Sequence, residues 1–203
     1  MLSRFTIFVF LLPLLASSQK QVGMEQYYFH EPQSLGLIVP KINYQSPKNW
    51  YGELRYNWEE LGTASVHVGK AFDFDFSSAD ITIIPLAGIC FGQIQALSAG
   101  TIIEANVHRF SFFSEPQYVS SLNDRSTDFF YSWSEVAYQI KPFLYAGFAL
   151  QQTKVADQPF LWEPGILGGV SIKNFDVPIY LFNPFSPGRN IVFGLNWKWQ
   201  NNK

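Results

Sequence analysis

Residues 190–200 read NIVFGLNWKWQ, and their alternation decides the fold class. Ile191, Phe193, Leu195, Trp197 and Trp199 take every second position, with Val192, Gly194, Asn196, Lys198 and Gln200 between them. Successive side chains of a strand point to opposite faces, so this segment reads as a strand with one large apolar face and one small or polar face. Residues 50–58, WYGELRYNW, repeat the pattern. Trp50, Gly52, Leu54, Tyr56 and Trp58 oppose Tyr51, Glu53, Arg55 and Asn57.

The same dyad recurs between these two ends. Ile103, Ala105 and Val107 oppose Glu104, Asn106 and His108, and Leu144, Ala146, Phe148 and Leu150 oppose Tyr145, Gly147, Ala149 and Gln151. Residues 129–140 begin with aromatics at odd positions and then change phase near Ser134 and Glu135, which points to a bulge or a misplaced strand boundary. Residues 81–91 and 177–182 are apolar on both faces. Turn residues divide the chain into strands near 50–59, 63–73, 80–91, 100–108, 111–120, 129–140, 143–153, 165–173, 176–183 and 190–200. Short connections at Arg109-Phe110, Lys141-Pro142 and Asn174-Phe175 alternate with longer polar ones at 92–100, 121–128, 154–165 and 184–189.

Short turns at one end and longer loops at the other are the habit of outer-membrane barrels. The expected fold is therefore all-β: a closed antiparallel transmembrane β-barrel of about ten strands, with eight as the alternative. A soluble barrel of lipocalin type is the rival, since alternation does not tell which face is inside. The polar face decides between them. It carries Glu53, Arg55, Glu104, Glu115, Gln117 and Gln151 among glycines, while Trp50, Tyr56, Trp58, Trp197 and Trp199 gather near strand ends on the other face. Large aromatics at both rims are what a membrane interface selects.

The start of the chain reads as an export signal. Arg4 precedes an apolar run over residues 5–15, and Ala16, Ser17 and Ser18 are small. That run is well short of the roughly 20 residues of a spanning helix. Cleavage after Ser18 leaves 19–49 as an expected N-terminal periplasmic segment and 50–200 as the barrel. Both termini are expected on the periplasmic side of a bacterial outer membrane.

Composition excludes other classes. The net charge is −2 and only 15% of residues are charged, against 18% aromatic, so nucleic acid is not an expected partner. The single cysteine, Cys90, excludes an internal disulfide framework and reads as a small apolar strand residue. Expected surroundings are outer-membrane lipid and the barrel-insertion machinery, with the loops available to an extracellular or envelope protein.

The stretches INYQSPKNWYGELRYNWEELGTASVHVGKAF (42–72), SLNDRSTDFFYSWSEVAYQI (121–140) and NIVFGLNWKW (190–199) resemble a group of small, uncharacterised outer-membrane β-barrel proteins of Bacteroidota-type Gram-negative bacteria. The likeness runs from about Tyr44 to Trp199, and YQSPKNWY and FFYSWSE are its most specific strings. It implies an exported, membrane-inserted barrel and transfers no activity or functional residue.

Candidate sites follow from the faces. Glu53, Glu104, Glu115 and Glu135, with Arg55, form an expected lumen network. The alternative is that the acids line a cation-selective passage. Narrow barrels fill their interiors with side chains, and buried charges survive by pairing, which favours the network. His108, Ser111 and Glu115 contain the residue types of a hydrolytic triad, but nothing supplies an oxyanion hole. His30 and His67 lack a neighbouring ligand at metal spacing. Residues 121–128 are acidic without the ligand alternation of a calcium loop. Phe160, Leu161 and Trp162 read as a rim anchor or a loop contact for a partner. No cofactor is expected. The leading expectation is thus a structural or interaction barrel with a closed polar lumen, followed by a narrow pore for small solutes or ions, and then by a lipid-modifying enzyme.

Overall fold

The computed structural model describes residues 21–30 and 36–200. The expected signal peptide, 1–18, lies outside the described residues. The strands are β1 (Gln21–His30), β2 (Leu37–Gln45), β3 (Trp50–Tyr56), β4 (Thr63–Lys70), β5 (Phe72–Phe76), β6 (Ala79–Gly92), β7 (Ala96–Val107), β8 (Phe110–Ser121), β9 (Phe129–Lys141), β10 (Leu144–Val155), β11 (Leu161–Ile172), β12 (Phe175–Phe182) and β13 (Asn190–Gln200). Each runs antiparallel to its neighbour. The sheet closes where β1 meets β13, with Gln21 opposite Gln200 and His30 opposite Ile191. Strands β4 and β5 form one stave, because Gly69 faces Leu86 and Phe72 faces Ile83 on β6 in a single unbroken register. The result is a twelve-staved barrel with all sequence-adjacent staves paired.

All ten expected strands are present, but the count of about ten is too low. The segment 19–49, expected to be periplasmic, instead supplies β1 and β2 and completes the wall. Their pattern is hard to read. The inward face of β1 carries Tyr27 and Phe29 and its outward face Gln26 and His30, while β2 holds Pro40 at its centre, opposite Gln26. A proline mid-segment argues against a strand in most sheets.

Short connections cluster at one end: 77–78, 108–109, 142–143 and 173–174 are two residues each. The turns lie one residue earlier than expected at 108–109 and 173–174, and one later at 142–143. His108 (φ 57°) and Lys173 (φ 55°) make the reversals in the left-handed region. The longer connections 57–62, 122–128, 156–160 and 183–189 lie at the other end, and both barrel termini sit at the short-turn end.

Faces sort as alternation demands. Leu195 is 54% exposed and Phe148 70%, whereas Val192 is fully buried and Glu53 and Arg55 are 3% exposed. Charges inside and hydrocarbon outside invert a soluble barrel, so the outer surface is built for lipid. Exposed aromatics ring both rims: Trp50, Phe110, Phe143 and Phe175 near the short turns, and Tyr28, Tyr56, Tyr118 and Trp162 near the long loops. On β8, Phe110 and Tyr118 are about 26 Å apart along the strand, or about 20 Å in height once a strand tilts, which suits a bilayer's apolar band.

The bulge expected near Ser134 and Glu135 is absent. Strand β9 keeps one register with β8 throughout and with β10 from Phe129 to Gln139. The phase change has a different cause. Tyr131 and Trp133 point inward into an apolar part of the lumen while Ser132 and Ser134 face outward, and below them Val136 and Tyr138 take the outer face. Hydrophobicity changes sides while the backbone does not.

Candidate functional site in the lumen

The loop after β3 enters the barrel. Asn57 adopts φ 61°, a left-handed conformation that asparagine tolerates. Its Oδ1 accepts from the Gly62 N–H at 2.8 Å, and its Nδ2 donates to the Ile38 carbonyl at 3.0 Å. This reversal breaks the strand alternation, so Trp58 leaves the lipid-facing row to which the dyad assigned it and lies inside. Its ring centroid stands 6.1 Å from Tyr27, 6.1 Å from Tyr131 and 6.3 Å from Trp133. Lys41 Nζ and Arg55 Cζ lie 5.5 and 5.4 Å from the same ring, within cation–π range. Glu59 follows it inward and is buried, accepting from Ser65 Oγ at 2.9 Å and Gln117 Nε2 at 3.2 Å.

Beneath this loop lies a buried ionic cluster. Arg55 is paired with Glu53 and Glu115, donates to Gln117 Oε1 at 2.9 Å, and lies 3.7 Å from Glu59. Lys41 Nζ is 3.0 Å from Glu25 and 3.4 Å from Glu115. Tyr51 donates its hydroxyl to Glu53 at 3.0 Å. Strands β2 and β8 are five staves apart one way round and seven the other, so the Lys41–Glu115 contact joins nearly opposite walls. No open bore survives at a level where opposite walls touch. Several kcal/mol of desolvation per ion are offset only when each charge is paired and hydrogen-bonded. Every charge here is paired, while Arg55 Nε and Glu59 Oε2 are buried without a hydrogen-bond partner among the described residues.

The other half of this layer is aromatic. Trp133 packs edge-on against Tyr180 (4.9 Å) and Phe182 (5.2 Å), and its Nε1 donates to Glu135 at 2.5 Å. Tyr180 donates to the same carboxylate at 2.8 Å. Phe182 fills space left by Gly165, where a Cβ would fall 2.7 Å from its Cδ1.

Below the filled layer a vestibule of 460 Å³ opens at the short-turn end. Glu25, Glu104, Glu135, Asp176 and Lys198 stand on its wall, with the rings of Tyr27, Tyr51, Tyr145 and Tyr180. Asp176 accepts from Tyr145 at 3.0 Å and from Ser171 at 2.5 Å.

The closed twelve-staved barrel has counterparts among solved structures. Its fold is that of the outer-membrane porins. The KdgM porin superposes with a TM-score of 0.62 at 10% identity, over 88% of this chain and 99% of that one. A second KdgM structure, described as in complex with disordered oligogalacturonate, gives 0.58 at 10% identity over 89% and 99%. The NanC porin gives 0.58 at 9% identity over 89% and 99%. No protein-family model and no curated protein matches the sequence. At such identities the likeness is one of fold.

Of the expected network, Glu53, Arg55 and Glu115 meet. Glu135 points inward but is bound by Trp133 and Tyr180, and Glu104 stands on the vestibule wall, so neither reaches Arg55. Glu25, Lys41, Glu59, His67 and Trp58 were not foreseen as members. Lys41 and Glu25 lie on the two unrecognised strands, and Glu59 and Trp58 lie beyond a left-handed residue. The dyad Val39, Lys41, Asn43, Gln45 was the available signal.

The triad residues are not assembled. Glu115 is committed to Lys41 and Arg55, Ser111 lies four residues or about 13 Å along the strand, and His108 forms a turn. In residues 121–128, Asp124 accepts from Ser126 and Asp128 from Ser121, Ser120 and Tyr118, so both carboxylates serve the loop. Phe160 packs at a tilt against Trp162 (5.0 Å) and lies 6.5 Å from Phe130 on the long-loop rim, and Leu161 is exposed beside them. Cys90 is buried with Ala96 and Val119.

Proposed function

We propose that this chain is one of the small outer-membrane barrels of Bacteroidota-type bacteria, with its termini in the periplasm, and that it is a narrow pore for small solutes held shut by residues 57–62 together with the side-chain ion pairs directly beneath them. One observation carries the reading: the long-loop mouth is stopped by Trp58 and Glu59, two side chains of one short connection, while the other half of the lumen is an open vestibule. The porin fold supports it. A second reading, a permanently filled barrel with a structural or interaction role, is favoured by the ion pairs that tie opposite walls together. Nothing in the lumen supports the lipid-modifying reading, whose residues stand apart.

Planar-bilayer conductance separates the two. Asn57 and Thr63 face one another across the loop, with Asn57 donating to the Thr63 carbonyl at 2.8 Å. Replacing residues 58–62 by the dipeptide Asn-Gly therefore leaves a two-residue hairpin of the type that strand twist favours. Wild type should be silent or open in brief bursts, and the shortened protein should give steady unitary currents. A folded, silent variant would establish the permanently filled barrel instead.

A further inference from the structure

We infer that the solute class of this lumen is cationic: small amine- or guanidinium-bearing molecules that enter from the vestibule end. This rests on the pore reading and adds a charge to it. The vestibule wall carries Glu25, Asp73, Glu104, Glu135 and Asp176 against Lys41 and Lys198. The filled layer above adds Glu53, Glu59 and Glu115 against Arg55. Acids thus outnumber fixed bases by eight to three among these described residues.

The pairing of the cations sharpens the imbalance. Lys41 is spent on Glu25 and Glu115, and Arg55 on Glu53, Glu59 and Glu115. No lysine, arginine or histidine of the described residues forms an ion pair with Glu104, Glu135 or Asp176, whose acceptors face tyrosine, tryptophan and serine donors or the vestibule itself. Carboxylates on low-dielectric walls concentrate counterions inside a cleft, and rings of such groups select cations in channels. Tyr27, Tyr51, Tyr145 and Tyr180 add ring faces of the kind that attract ammonium and guanidinium groups. A volume of 460 Å³ admits a molecule of amino-acid or short polyamine size. The same wall repels a polyanion, so a ligand such as the oligogalacturonate named for the KdgM complex is the wrong charge for it.

Two measurements test this. The first uses the variant with 58–62 replaced by Asn-Gly, in bilayers under a potassium chloride gradient. The reversal potential should report potassium preferred over chloride by about tenfold. Combining Glu104→Gln, Glu135→Gln and Asp176→Asn in that background should abolish the preference while current remains. Steady current without cation preference, or with anion preference, overturns the charge assignment and leaves the pore reading intact. The second uses the whole wild-type protein in detergent, titrated calorimetrically with spermidine and, separately, with galacturonate. Spermidine should bind and lose its affinity in the triple variant, and galacturonate should not bind. Equal or absent binding of the two overturns the inference whether or not any variant conducts. Spermidine binding with a silent shortened loop would instead remove the pore and keep the cationic ligand.

Discussion

His67 reaches Ser98 across an intervening strand, Nε2 to Oγ 2.6 Å, because the residue between them is Gly88. His67 on β4 faces Gly88 on β6, which in turn faces Ser98 on β7. A Cβ at position 88 would lie 2.2 Å from His67 Cδ2. The glycine is thus a space reserved for an imidazole, and the ring so placed lies 3.7 Å from Glu53 at the edge of the ionic cluster.

Gly88→Ala should therefore push His67 off Ser98 and cost about 1–3 kcal/mol of stability, in the range of overpacked cores. Unfolding titrations in lipid vesicles measure it. In the His67→Ala background the same change should be almost neutral, and an additive double variant would contradict the shared space.

Arg55→Met should strand Glu53 and Glu59 in a buried layer and leave Glu115 with Lys41 alone. Removing one partner of a buried pair costs about 3–5 kcal/mol. The unfolding midpoint should fall accordingly. An unchanged midpoint would mean that water already screens these acids and that the layer is not closed.

Leu195→Arg places a charge against lipid and should cost about 2–4 kcal/mol near mid-membrane. Asn196→Arg points toward the vestibule, where Glu135 and Asp176 stand, and should cost clearly less. Equal penalties would contradict the face assignment on β13.

Asp124 lies outside the membrane-spanning strands. Its carboxylate accepts from the Ser126 N–H at 2.9 Å and the Ser126 hydroxyl at 2.8 Å, which hold it below the usual carboxylate range. A depressed folded value means that the turn's order is fully present above the ordinary aspartate range near pH 4 and is lost as pH falls through the lower, folded value. Amide exchange at Ser126 should accelerate in that acid window. Asp124→Asn, whose oxygen still accepts, should show no such step.

Much of this architecture was legible in a few strands. In β13 the dyad gave strand, face and lipid contact together, because one side meets hydrocarbon and the other a polar interior. In β9 the same reasoning predicted a bulge that is not there. The lumen beside Tyr131 and Trp133 is itself apolar, so hydropathy no longer distinguishes inside from outside. In β2, Pro40 masked a stave whose inward residues include Lys41, one of the two cations of the filled layer.

Local alternation and turn spacing therefore determined that this chain is a barrel, which face of most strands meets lipid, and that charges such as Glu53, Arg55 and Glu115 point inward. They act over two residues and need no knowledge of distant chain. Only the tertiary structure decided that the barrel has twelve staves, that Trp58 leaves the outer surface for the lumen, and that Lys41 meets Glu115 from 74 residues away. Those outcomes depend on which walls closure brings face to face across the bore. The period of a strand reports the two sides of one wall and nothing of the wall opposite.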